Sequence, residues 1–66
     1  MKYKVGDKVL LRDDLEIGKE YGKDSYEEDM LKGEIVTIKQ IYGSFYSIGD
    51  GWNYTDEMII GLAEDK

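Results

Sequence analysis

The sequence predicts a small all-β domain, and three observations carry that prediction. Glu34 to Ile41 reads Glu-Ile-Val-Thr-Ile-Lys-Gln-Ile, rich in the β-branched residues that favour strands. Glycine-bearing turn signals at Tyr42-Gly43 and Gly49-Asp50-Gly51 cut the second half into short segments. Helix signals amount to single turns, each marked by a capping residue and a cluster of acids.

The first strand spans Asp7 to Arg12, entered through Gly6. Val9 and Leu11 share one face, while Lys8, Leu10 and Arg12 take the other. Leu10 breaks the alternation, so it is either half-covered or open to a partner. Asp13 to Lys32 then forms a long loop punctuated by Gly18 and Gly22. Ser25-Tyr-Glu-Glu28 matches a capping box, which predicts a short helical turn over Tyr26 to Lys32 with Ser25 as N-cap. Met30 and Leu31, or Tyr26, would turn inward.

In the strand from Glu34 to Ile41, Val36 and Ile38 face the core and Ile35, Thr37 and Lys39 face outward, while Ile41 requires a bulge or twist. Ser44 to Ile48 follows, with Tyr46 and Ile48 alternating against Phe45 and Ser47. The tight turn at Gly49-Asp50-Gly51 leads into Trp52-Asn53-Tyr54. Thr55 to Met58 reads as one helical turn capped by the Thr55 or Asp56 side chain, and Ile59 to Ala63 as a last strand. The order is strand, long loop with a helical turn, three strands in a meander, a one-turn helix and a final strand. A five-stranded SH3-like barrel uses this order, with the long acidic loop after strand 1 covering one open side.

Composition narrows the function. The 66 residues suit one domain, 1–66, and contain no cysteine, histidine or proline. That excludes disulfides, thiolate metal sites and histidine-dependent triads, and no cofactor is implied. Fifteen acids against nine bases give a net charge of −6, the wrong sign for a typical nucleic-acid binder or an anionic membrane surface. No apolar run reaches the roughly 20 residues of a membrane span, and no signal-peptide pattern opens the chain, so a cytoplasmic setting is expected. The charge is localised. Asp13 to Glu34 holds nine acids and three lysines, whereas the rest of the chain holds six of each sign.

Val5-Gly6-Asp7-Lys8-Val9-Leu10-Leu11-Arg12 resembles the opening strand of many SH3-like domains, and Gly33-Glu34-Ile35-Val36-Thr37-Ile38 resembles their second. Asp50-Gly51-Trp52-Asn53-Tyr54-Thr55-Asp56-Glu57-Met58, with Tyr21-Gly22 in the long loop, is similar to small SH3-like proteins of phages and prophages of low-GC Gram-positive bacteria. The resemblance implies architecture and origin more than activity. No Ala-Leu-Tyr-Asp-Tyr motif precedes the loop and no proline stands in the last helical turn, so proline-rich ligands are not implied.

The candidate binding residues are Tyr21, Asp24, Tyr26, Glu27, Glu28, Asp29, Trp52 and Tyr54. Tyrosine and tryptophan are favoured interface anchors, and loop carboxylates can dock a basic partner. The bland alternatives are that the aromatics fill a tiny core, Tyr46 and Trp52 foremost, and that the acids only solubilise. Tyr42 is a further candidate contact. Asp13, Asp14 and Glu16 match no metal-ligand template. Glu27, Glu28 and Asp29 could in principle act in acid–base catalysis, but no substrate pocket is implied, so the chain reads as a non-enzyme.

The expected partner is a host or phage protein with a basic surface. Small acidic phage proteins often act in this way against defence nucleases, including CRISPR effectors, whose nucleic-acid channels carboxylates can occupy. The alternative is an accessory nucleic-acid or ribonucleoprotein factor using a basic strip of Lys2, Lys4, Lys8, Arg12 and Lys39. The chain itself is expected to be a monomer or a weak homodimer.

Overall fold

The computed structural model describes residues 2–63. The chain forms eight short strands: β1 (Lys8–Leu11), β2 (Glu20–Tyr21), β3 (Asp24–Ser25), β4 (Ile35–Thr37), β5 (Gln40–Tyr42), β6 (Phe45–Ser47), β7 (Asn53–Tyr54) and β8 (Ile59–Leu62). A 3-10 helix, Asp56–Met58, separates the last two. The strands group into three antiparallel sheets, in the orders β4-β1-β8, β2-β3 and β5-β6-β7. The fold is all-β, and its ladders do not close into one continuous barrel.

The strand expected over Glu34 to Ile41 is divided. Its first half pairs with β1, with Val9 opposite Val36, and its second half pairs with β6, with Ile41 opposite Tyr46. The chain turns from one sheet to the other at Ile38 and Lys39. The ladders continue across the bend, because Ile38 N–H donates to Asp7 O and Lys39 N–H to Ser47 O. Ile38 is buried at the corner while Ile35 and Thr37 face solvent, as the alternation predicts.

Val9, Leu11, Leu15, Tyr21, Tyr26, Met30, Ile38, Tyr46, Tyr54, Met58 and Ile59 form the core. Burying each large side chain contributes about 1.5–3 kcal/mol, and four of the eleven come from the long loop. The loop is thus part of the hydrophobic cluster rather than a cover laid over a finished body. Met30 and Tyr26 turn inward as expected, with Leu31 half-buried beside them.

Two local expectations fail. No helical turn spans Tyr26 to Lys32, and Ser25 is not a cap. Its backbone belongs to the β2–β3 hairpin, which Tyr26 N–H extends by donating to Lys19 O. After the hairpin the chain makes a single turn, closed by Met30 N–H donating to Glu27 O. A nucleus that fixes several residues for one bond does not propagate in so short a segment. The 3-10 helix forms where expected, but without a side-chain cap. The Thr55 hydroxyl instead donates to Tyr21 O at 2.6 Å, joining the helix to the loop.

The β2–β3 hairpin was invisible in the sequence pattern. Tyr21 pairs with Asp24, leaving Gly22 and Lys23 as a two-residue turn. Gly22 has φ +74° and Lys23 does not have positive φ, which is the requirement of a type II′ turn. Gly43 meets the same requirement between β5 and β6.

Candidate docking surface

The acidic segment from Asp13 to Glu34 is held from beneath by tyrosines. Glu16 N–H donates to the Tyr21 hydroxyl at 2.8 Å, and the Tyr26 hydroxyl donates to Met30 O at 2.6 Å. Leu31 N–H donates to the Tyr54 hydroxyl at 2.9 Å, which itself donates to Asp50 Oδ2 at 2.8 Å. Asp50 Oδ1 accepts from Trp52 N–H at 3.0 Å. A single relay therefore runs from the loop to the 49–51 turn. The bonds at Glu16, Met30 and Leu31 each satisfy a loop backbone group that would be costly to leave unpaired inside.

These positions define how the candidate residues divide. The rings of Tyr21, Tyr26 and Tyr54 lie in the core, so they offer no open aromatic face. Here the core-filling alternative describes the rings. Burial pushes the Tyr26 and Tyr54 phenols above their ordinary value; at Tyr54 the Leu31 N–H partly opposes the rise. Trp52 is half-buried against the core. Asp24 is half-buried, and one of its oxygens accepts from Ser25 N–H at 2.8 Å. Glu27, Glu28 and Asp29 are exposed on the turn after β3, with no ion pair among the described residues.

Two cations lie over the Tyr21 ring. The Arg12 guanidinium carbon lies 5.7 Å from the ring centroid and Lys19 Nζ 5.6 Å, which places two charges against one ring. Arg12 also donates through Nε and Nη2 to the two oxygens of Asp14, both at 2.9 Å. This fork holds the Asp14 carboxyl below the usual carboxylate range and raises the guanidinium in turn. Arg12 Nη1 donates to Glu57 O at 3.3 Å. The guanidinium of the proposed basic strip is therefore already engaged with the acidic loop.

The tips of two hairpins face each other across a cleft of about 150 Å³, lined by Gly22, Lys23, Ser44, Thr55, Asp56 and Glu57. A Cβ at Gly22 would come within 3.1 Å of Glu57 Oε2 and 3.4 Å of the Thr55 side chain, so the β2–β3 tip seats tightly on the 3-10 helix. Sequence reasoning did not find this cleft, because three separate segments build it and none carries a motif. Asp56 Oδ1 accepts from the Tyr46 hydroxyl at 2.5 Å. Burial first, and then this bond, push the phenol up to about 12.

Among the described residues, no group of carboxylates is placed to hold a metal ion, and no helix is long and apolar enough to cross a membrane. No protein-family model, curated protein or solved structure matches the chain.

Proposed function

We propose that this chain is a non-catalytic protein-binding module of the SH3-like kind, docking a basic partner surface through its acidic loop. The architectural part of the reading is supported by strand order. With β4 and β5 taken as halves of one bent strand, and the β2–β3 hairpin assigned to the loop, five strands remain. They follow one another in the order that the resemblance implies, and a 3-10 helix precedes the last.

The observation that carries the docking reading is the turn bearing Glu27, Glu28 and Asp29. Its carboxylates are exposed and unpaired, while the backbone beneath them is tied to buried hydroxyls. Charges held on an ordered scaffold are presented without a large ordering cost on binding. They also steer a basic partner, raising association rates by roughly 10–1000-fold at low salt. The phage-like resemblance makes a host defence protein, with a basic channel that receives nucleic acid, the fitting partner class. The setting is then the cytoplasm of a bacterial host.

The test is capture from a Gram-positive bacterial lysate with the wild type and with E27S/E28S/D29S. Partners held by the wild type, eluted by salt and absent from the variant support the reading. A variant that keeps every partner overturns it. Both proteins should show the same far-ultraviolet spectrum, since the three side chains support no other group in the fold.

A further inference from the structure

The turn between β6 and β7 carries the one Asp-Gly pair in the sequence, Asp50-Gly51. Both residues are exposed, and Gly51 N–H donates to no group among the described residues. Gly51 has φ +89°, and nothing lies within 4 Å of the place a Cβ would take. Its nitrogen, with no side chain beside it, is the least hindered backbone nucleophile that a neighbouring carboxyl group can meet. Asp50 is also the far end of the relay that reaches the acidic loop. Its Oδ1 accepts from Trp52 N–H at 3.0 Å and its Oδ2 from the Tyr54 hydroxyl at 2.8 Å. That hydroxyl in turn accepts from Leu31 N–H.

We infer that Asp50-Gly51 is a site of spontaneous backbone modification, converting aspartate to isoaspartate, and that the Tyr54 relay gates it. The Gly51 nitrogen attacks Asp50 Cγ, and the new N–Cγ bond closes a five-membered succinimide. One carboxyl oxygen leaves as water, taking the amide proton and the acid proton. Water then adds back to the ring. Opening at Cγ restores aspartate. Opening at the main-chain carbonyl carbon leaves the chain running through Cβ and Cγ, with the former carbonyl as a free carboxylate on Cα. No atom is gained or lost overall, and water is the only co-reactant.

Gating follows from the two hydrogen bonds. Ring closure must turn Cγ onto the Gly51 nitrogen, and a carboxylate held through both oxygens turns only after both bonds open. The coupling also runs the other way. Isoaspartate lengthens the turn by a carbon and moves the carboxylate to Cα, so Trp52 N–H and the Tyr54 hydroxyl lose their acceptor. Tyr54 then holds Leu31 less firmly, and the acidic loop loosens where this relay supports it. The reaction is a slow timer on the order of the loop, and it stands whether or not the loop docks a basic partner.

Ageing the chain at neutral pH tests the inference, with isoaspartate read by a methyltransferase specific for it and located by peptide mapping. Isoaspartate should accumulate at residue 50 of the folded wild type. It should form roughly 30-fold more slowly than in the same chain unfolded in guanidinium chloride, since two hydrogen bonds must open first. Tyr54→Phe removes one of them and should speed the folded reaction roughly fivefold. Ile38→Ala, which weakens the fold away from the turn, should age as the wild type does. Hydrogen exchange at Leu31 should be faster in the modified chain than in the unmodified one. Equal rates in folded and unfolded wild type overturn the inference. So does Tyr54→Phe ageing at the wild-type rate, or Ile38→Ala ageing as fast as Tyr54→Phe. No isoaspartate at residue 50 of the folded wild type, or unchanged exchange at Leu31 once it has formed, overturns it as well.

Discussion

The acidic loop and the strand body are held in different ways. The body rests on ladders: β1 lies between β4 and β8, and Val9, Leu11, Ile38 and Ile59 fill the space behind it. The loop has only the four strand residues of β2 and β3, so besides its four core side chains and a few backbone bonds it is held by hydroxyls meeting backbone groups at Glu16, Met30 and Leu31, and at Tyr21 O. A ladder loses little when one rung is weakened. A loop with so few ladder rungs depends more on each side-chain contact that holds it.

Alkaline pH should break both regions, and it carries the largest effect. The Tyr26, Tyr46 and Tyr54 phenols are raised in the folded chain, that of Tyr46 to about 12, against about 10 when unfolded. Their stabilisation is complete below pH 10 and is lost as pH rises through the folded values. Each phenol contributes a slope of about 1.4 kcal/mol per pH unit in that window. Unfolding monitored by circular dichroism should therefore set in above pH 10, together with tyrosinate absorbance. Independent, gradual ionisation with the fold intact would contradict this.

Ile38→Ala comes next. It empties the corner where the two larger sheets meet, at a cost of about 2–5 kcal/mol, and urea denaturation should show a lower midpoint for the whole molecule. Tyr54→Phe separates the two regions more finely. It leaves Leu31 N–H and Asp50 without their shared partner, at a cost of about 1–3 kcal/mol. Hydrogen exchange should speed up at Leu31 and its loop neighbours more than at Val9 or Leu10. Equal acceleration everywhere would show that loop and body unfold as one unit. Asp14→Asn has the smallest expected effect, a thermal midpoint close to that of the wild type, because the Arg12–Asp14 pair is solvent-exposed.

Sequence and structure agree where a period had room to register. Val9 and Leu11 in β1, Val36 and Ile38 before the bend, and Tyr46 in β6 all follow alternation over several residues. Leu10, which breaks it, is half-buried on the outer face between Ile35 and Gly61. The β2–β3 hairpin escaped because two-residue strands carry no period, and the contact that ties it to the 3-10 helix, Thr55 to Tyr21 O, comes from far along the sequence. The capping box expected at Ser25 does not form, because hairpin pairing uses the same backbone.

The candidate site divided along similar lines. Exposure of Glu27, Glu28 and Asp29 was legible from their charge. Burial of Tyr21, Tyr26 and Tyr54 was not, because a tyrosine suits a core and an interface equally until its hydroxyl finds a partner.

The antiparallel pairing of β1 with β8 has a mechanical consequence. Ala63 N–H donates to Lys8 O at 2.8 Å, so the two ends of the ladder lie side by side. Tension applied through those ends pulls across the ladder, and its rungs open in succession instead of shearing together. The β1–β8 ladder should therefore yield to smaller forces than a ladder loaded in shear.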